Sequence, residues 1–282
     1  MRFEEDVQAC YAQVQAAAKR SVQVAEKSGV AAYPNELKED MQDIKVERIV
    51  ELGTVEIPVD SIVGTVGCNE MGLYSPEFMP AAAANSPFAV QWCQLYMDYL
   101  SDAGWYAPIR CVEFLGRFYV QDGKKRVSVL KAHGAYTTEA IVTRLLPEET
   151  GEEAIRSYYS FLEDYEKTGL YQAAFTQPGG LNKLQKALGH DQDYVWNDQD
   201  RFGFRFHLLT VHYALKRTFR DSMNVTAADA LLVLLEKFTY QEINQMKPWQ
   251  VSRELQNAWE KLYNVAVPVF ETAEFEEEKK VS

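Results

Sequence analysis

Long uninterrupted apolar runs are missing from this sequence, so no segment is expected to span a bilayer. The first residues, Met1-Arg2-Phe3-Glu4-Glu5-Asp6, turn acidic at once and lack the apolar stretch of a secretory leader. Cysteine is scarce and scattered: Cys10, Cys68, Cys93 and Cys111 show no paired spacing. That argues against a disulfide framework or a cysteine-based zinc site, and it suits a reducing, cytoplasmic setting. The four histidines, His133, His190, His207 and His212, form no His-Glu-x-x-His motif, and the last two fall on different helical faces. A zinc hydrolase is not expected. Internal repeats and low-complexity tracts are absent as well.

Positive charge is also in short supply. The 282 residues carry 41 acids against 29 bases, a formal net charge of −12. A field of that sign repels phosphate backbones, so any nucleotide or nucleic-acid site must be a local basic island. With 47% hydrophobic and 25% charged residues, the composition is that of a folded chain. The length admits one large domain or two modest ones.

What is present sorts into an α+β order. Residues 4–27 read as a helix, with Val7, Cys10, Tyr11, Val14, Ala17, Ala18 and Ala25 at three- and four-residue steps and Gly29 to stop it. Residues 30–47 read as a polar connector or a short helix. From Val46 to Pro147 short apolar runs alternate with Gly and Pro. Strands are expected at 55–59, 109–115, 117–120 and 140–145, with a tight hairpin at Leu115-Gly116-Arg117. Helices are expected at 89–103 and 124–132, the second ended by Gly134. After Pro147 the pattern is helical at 152–167, 202–220, 227–237, 239–246 and 249–263, broken by Pro178-Gly179-Gly180 and an acidic loop at Asp191–Asp200. Thr226-Ala227-Ala228-Asp229 has the form of a capping box with Asp in place of Glu or Gln. The expected organisation is an N-terminal helical arm (1–45), a small mixed-sheet domain (46–147), an all-α C-terminal module (148–270) and a charged tail (271–282).

Two basic islands interrupt the acidic background. Between Arg110 and Lys131 six bases stand against Glu113 and Asp122. Lys124, Lys125 and Arg126 follow a glycine at the start of a helix, which gathers free amide N–H groups, the positive end of the helix dipole and three cations at one point. Gly123 lets the chain approach a ligand closely, and Asp122 can hold the turn or help position a metal ion. These are the parts of a polyphosphate cradle. The plainer alternative is a solvated Asp-Gly turn with two surface lysines.

Four segments occur in a telling order: Ile57-Pro58-Val59-Asp60-Ser61-Ile62-Val63-Gly64, Pro76-Glu77-Phe78-Met79-Pro80, Pro108-Ile109, and Val120-Gln121-Asp122-Gly123-Lys124-Lys125-Arg126-Val127-Ser128-Val129-Leu130-Lys131-Ala132-His133-Gly134. Together they resemble the ParB/sulfiredoxin-like superfamily, in particular bacterial ParB-like proteins with a DGxxRxSV-type box. The resemblance covers residues 46–147, roughly a third of the chain. It implies a fold whose box binds nucleotide phosphates: CTP in partition proteins, ATP in sulfiredoxins, ADP in a free-serine kinase branch. By position it assigns phosphate contacts to Gly123, Lys124, Lys125 and Arg126, with Ser128 as a hydroxyl ligand or else an exposed first-turn serine. Asp122 matches the acid that precedes the glycine in the kinase-like and small ParB-like members.

The departures from that pattern narrow the chemistry. Lys124 stands where sulfiredoxins carry the catalytic cysteine, which disfavours sulfinic-acid reduction. Cys111 lies in an expected strand and reads as a small core residue. Lys-Lys-Arg replaces the Glu-Arg-Arg of partition proteins, and lysine offers a point charge instead of a bidentate fork. Lys125 replaces a histidine common in related boxes, removing a general-base candidate. A phosphotransferase would need a carboxylate base, for which Asp122, Glu56, Asp60 and Glu70 are the candidates.

The second island, residues 201–220, holds Arg201, Arg205, Lys216, Arg217 and Arg220 with no acid. As a helix it places Arg205, Leu209, His212 and Lys216 near one stripe and Phe204, Leu208, Val211 and Leu215 on an apolar one. Arg205, Lys216, Arg217 and Arg220 are candidates for contact with DNA or for a lid over the nucleotide. The alternative is a core helix whose bases face the acidic loop. Residues 239–262 have helix-turn-helix proportions, with Ile243, Met246, Val251, Leu255, Trp259 and Leu262 as the packed face, although the second helix is charge-neutral. The leading expectation is a cytoplasmic nucleotide-binding switch using Mg²⁺, without membrane partners and able to form a homodimer. Its rivals are a DNA-binding regulator, a small-molecule phosphotransferase and a structural interaction protein.

Overall fold

Val7, Tyr11, Ala18 and Ala25 recur on one face of the opening helix, α1 (Arg2–Ser28), and all four are buried. Gly29, at φ 70°, turns the chain out of it, and Val30 N–H returns to the Ala25 carbonyl at 3.1 Å. The computed structural model describes residues 2–67, 69–101, 107–176, 178–219 and 225–266. Cys68, Arg220 and the tail at 271–282 lie outside the described residues. The chain divides into two units, Met1–Ile155 and Arg156–Ser282.

The first unit is α+β. After α1 come β1 (Asn35–Glu36), α2 (Leu37–Asp40), β2 (Val46–Pro58), β3 (Ile62–Thr65), α3 (Pro87–Leu100), β4 (Ile109–Phe114), β5 (Arg117–Asp122), α4 (Lys124–His133) and β6 (Thr137–Pro147). The strands form one mixed sheet in the order β1-β3-β5-β4-β6-β2. β3 runs parallel to β1 and β5, and β4 runs parallel to β6, while β4–β5 and β2–β6 are antiparallel. The β4–β5 hairpin turns on Leu115 (φ 51°) and Gly116 (φ 75°), both left-handed, as a two-residue turn between twisted strands requires.

Helices cover the middle of the sheet, where successive residues of β4 and β5 are buried on both faces, whereas β2 is largely exposed. Val127, Val129 and Leu130 of α4 are buried, and Val129 joins a cluster with Tyr11, Tyr74, Phe88, Ala89 and Trp92. Ser86 starts α3, its hydroxyl accepting from Ala89 N–H at 3.2 Å with Pro87 in the first turn. A second cluster unites Leu37 of α2 with Val112, Phe114 and Tyr119. Inside the sheet Glu113, fully buried, accepts from Arg144 Nε at 2.5 Å and from Gly116 N–H at 2.7 Å.

The second unit is helical among the described residues. α5 (Glu153–Thr168) leads into it, followed by α6 (Gly180–Leu188), α7 (Asp198–Phe219), α8 (Ala227–Leu235), α9 (Tyr240–Gln245), α10 (Pro248–Asn257) and α11 (Trp259–Ala266). The capping box at Thr226 forms as the sequence indicates: its hydroxyl accepts from Asp229 N–H at 3.0 Å, and Asp229 accepts from Thr226 N–H at 3.1 Å.

Four expectations need correction. The connector after Gly29 contains a strand, β1, whose two residues are too few to show a pattern. β2 is 13 residues long where five were expected, because bulges near Val46 and Glu51 interrupt its alternation. The break at Gly179-Gly180 opens α6, which buries Leu181 and Leu184. The last expected helix divides at Ala258, and Trp259 is 51% exposed instead of packed.

Candidate phosphate-binding site

β5 ends at Asp122 and α4 begins at Lys124, so the whole turn is Gly123, at φ 101° and ψ 23°. A left-handed φ favours glycine, and space demands it too. A Cβ here would lie 2.8 Å from Ile109 Cγ2 and 3.0 Å from the Arg126 guanidinium. Gly123 offers no side-chain cap, and the first-turn amides of α4 have no carbonyl one turn back. Those amides and three consecutive cations gather at one end of α4.

The cations are not splayed into solvent; each is held by the protein. Lys124 Nζ donates to the carbonyls of Asn69 at 2.7 Å and Gly67 at 3.1 Å, so its charge is not cancelled by these partners. Lys125 Nζ lies 3.7 Å from Glu70 and 5.4 Å from the centre of the Phe88 ring. Arg126 donates to the carbonyls of Ala107 and Pro108 and, at 2.9 Å, to Asp122 Oδ2. In the last turn of α4, Lys131 donates to the Ile62 carbonyl at 2.7 Å. The basic island therefore staples the segments before and beside α4 to the helix.

Ser128 is corrected from a phosphate ligand or exposed serine to a core residue. It is fully buried, and its hydroxyl accepts from the Trp92 indole N–H at 2.9 Å. Glu56 and Asp60 are not brought to the start of α4. Their charges act on Tyr136, just beyond the C-cap Gly134 at the other end of a helix ~15 Å long, and disfavour the phenolate of a group whose pKa burial already pushes up. Glu70, by contrast, is brought to the site, in left-handed backbone at φ 68°. Cys111 is a core thiol, its pKa pushed up to about 12 by burial.

The second island lies on α7. Phe204, Leu208, Val211 and Leu215 are buried as their spacing indicates. Arg201 pairs with Asp198 at 3.0 Å within the first turn of α7, while Arg217 is exposed and Arg205 and Lys216 are half-buried. Sequence reasoning missed the exposed aromatics of this helix, Phe202, Phe206 and Tyr213, although their spacing was there to be read.

Among the described residues no three acidic, histidine or cysteine side chains converge as a metal site, and no helix is long and apolar enough to cross a membrane. No protein-family model and no curated protein sequence matches this chain.

Proposed function

We propose that this chain is a nucleotide-binding protein of the ParB/sulfiredoxin-like type, in which Gly123, Lys124, Lys125 and Arg126 receive the phosphates of CTP, ATP or ADP. The observation that carries this reading is the single-residue Gly123 turn, which opens α4 without a side-chain cap and sets three cations on its first turn. Lys124 can exchange two carbonyl partners for phosphate oxygens, and the 3.7 Å contact of Lys125 with Glu70 is long enough to yield to a stronger anion. Arg126, braced by Asp122 and the Pro108 carbonyl, orients the turn. Mg²⁺ fits here only as an ion shared with the phosphates. Asp122 is the one carboxylate on the turn, and magnesium commonly takes one or two carboxylates with phosphate oxygens and water. The bound nucleotide acts as a switch of assembly, and a homodimer is the proposed assembly.

A second reading rests on Glu70. A carboxylate beside the same cations, in backbone that costs about 1–3 kcal/mol to hold, is placed to take a proton from an acceptor hydroxyl in a phosphotransferase.

Isothermal titration of the full chain with CTP, ATP and ADP, with and without Mg²⁺, tests both. Binding by at least one nucleotide is expected, weakened about tenfold or more (~1.4 kcal/mol) in Lys124→Ala and Lys125→Ala. Absence of heat with all three nucleotides overturns the proposal. Steady turnover that disappears in Glu70→Gln favours the second reading over the first.

A further inference from the structure

α7 has two apolar faces where a surface helix has one. Phe204, Leu208, Val211 and Leu215 fill the buried side. On the opposite side Phe202 is 76% exposed, Phe206 64% and Tyr213 48%. At ~100° per residue, Phe202, Phe206, Leu209 and Tyr213 fall within a sector of about 60°. Arg205 and Lys216 run along one border of that sector and Arg217 along the other. From Arg201 to Phe219 the helix has no acidic residue, in a chain of net charge −12. A helix face toward water is ordinarily polar, so an aromatic stripe edged with cations marks a surface that another group covers. The cations select an acidic occupant and the aromatics select one that is also apolar.

We propose that this stripe is the docking surface for the chain's own C-terminal segment, residues 267–282. That segment reads Val-Pro-Val-Phe-Glu-Thr-Ala-Glu-Phe-Glu-Glu-Glu-Lys-Lys-Val-Ser, pairing Phe270 and Phe275 with five glutamates. The phenylalanines complement the aromatic sector in chemistry, and Glu276, Glu277 and Glu278 complement its basic borders in charge. The segment starts just after α11, in the same unit as α7. Its 16 residues reach as far as ~55 Å, against ~33 Å for the length of α7. The inference is independent of the nucleotide reading, because it uses no residue of the α4 turn.

The test is site-specific photocrosslinking in the full chain, with p-benzoylphenylalanine in place of Phe206 and, in a second variant, in place of Phe202. Adducts that map by mass spectrometry to 267–282 are expected, within one chain or between two copies. Their yield should fall several-fold when Glu276, Glu277 and Glu278 are all changed to Lys, and also at 1 M salt, where the screening length shrinks to ~3 Å. Adducts confined to another segment, to lipid or to nucleic acid overturn the proposal. So does a folded variant, checked by its helical circular dichroism, that gives no adduct from either position.

Discussion

The indole of Trp92 donates to the hydroxyl of Ser128 at 2.9 Å, and both side chains are closed off from solvent. This bond ties α3 to α4 one turn below the cationic residues, in the wall that sets where α4 begins. Ser128→Ala leaves the indole N–H buried without its acceptor, at a cost of about 1–3 kcal/mol. Urea denaturation should show a lower midpoint at unchanged slope, and Trp92→Phe in the same background should add less than it does alone.

Gly123→Ala sets a methyl group against Ile109 and Arg126 in left-handed backbone. A loss of at least ~1–2 kcal/mol is expected from the backbone alone. Gly134→Ala, at φ 75° with open space around it, carries the backbone strain without the clash. The first variant should therefore be the less stable in parallel denaturation, and it alone should weaken nucleotide binding.

Glu113 and Arg144 form an ion pair inside the sheet, on neighbouring parallel strands. Removing the carboxylate strands a buried guanidinium, so Glu113→Ala is expected to cost ~3–5 kcal/mol. Replacing both residues with apolar side chains of similar volume should cost less than that single change. Thermal or urea unfolding of the three variants decides it.

His207 packs against Tyr240, its Nδ1 3.0 Å from the phenol oxygen, and burial lowers its pKa below the usual 6.5. The unfolded chain therefore takes up this proton first as pH falls. The stability owed to neutral His207 is complete above pH ~6.5 and declines as pH drops toward the lowered folded-state value. A wild-type minus His207→Gln comparison of unfolding free energy between pH 7.5 and 5 should show this loss in the wild type alone.

Local patterns were legible and long-range ones were not. The faces of α1 and α7, the Leu115-Gly116 hairpin and the Thr226 cap each depend on residues within a turn or two, and the sequence carries them. The Gly123 turn was readable for the same reason. The partners of its cations were not, because Gly67, Asn69 and Glu70 come to α4 from 55 or more residues away. Ser128 misled because four consecutive residues, Val127 to Leu130, are buried between the sheet and α3, which helical periodicity alone does not signal. Glu56 and Asp60 are base candidates by residue type alone, whereas the pairing of β2 with β6 carries them to the opposite end of α4.

The pairing of β2 with β6 joins Val46 to Pro147 and Pro58 to Thr137, spans of roughly 80 to 100 residues. Strand β4 reaches β2 only through β6, so the sheet lacks one whole flank until Pro147 has left the ribosome. At about 5–20 residues per second, a nascent β2 waits several seconds for its mate. Through that interval its 13-residue backbone stands open to other growing chains. Translation is therefore an interval in which the unpaired edge of β2 is exposed to misassembly.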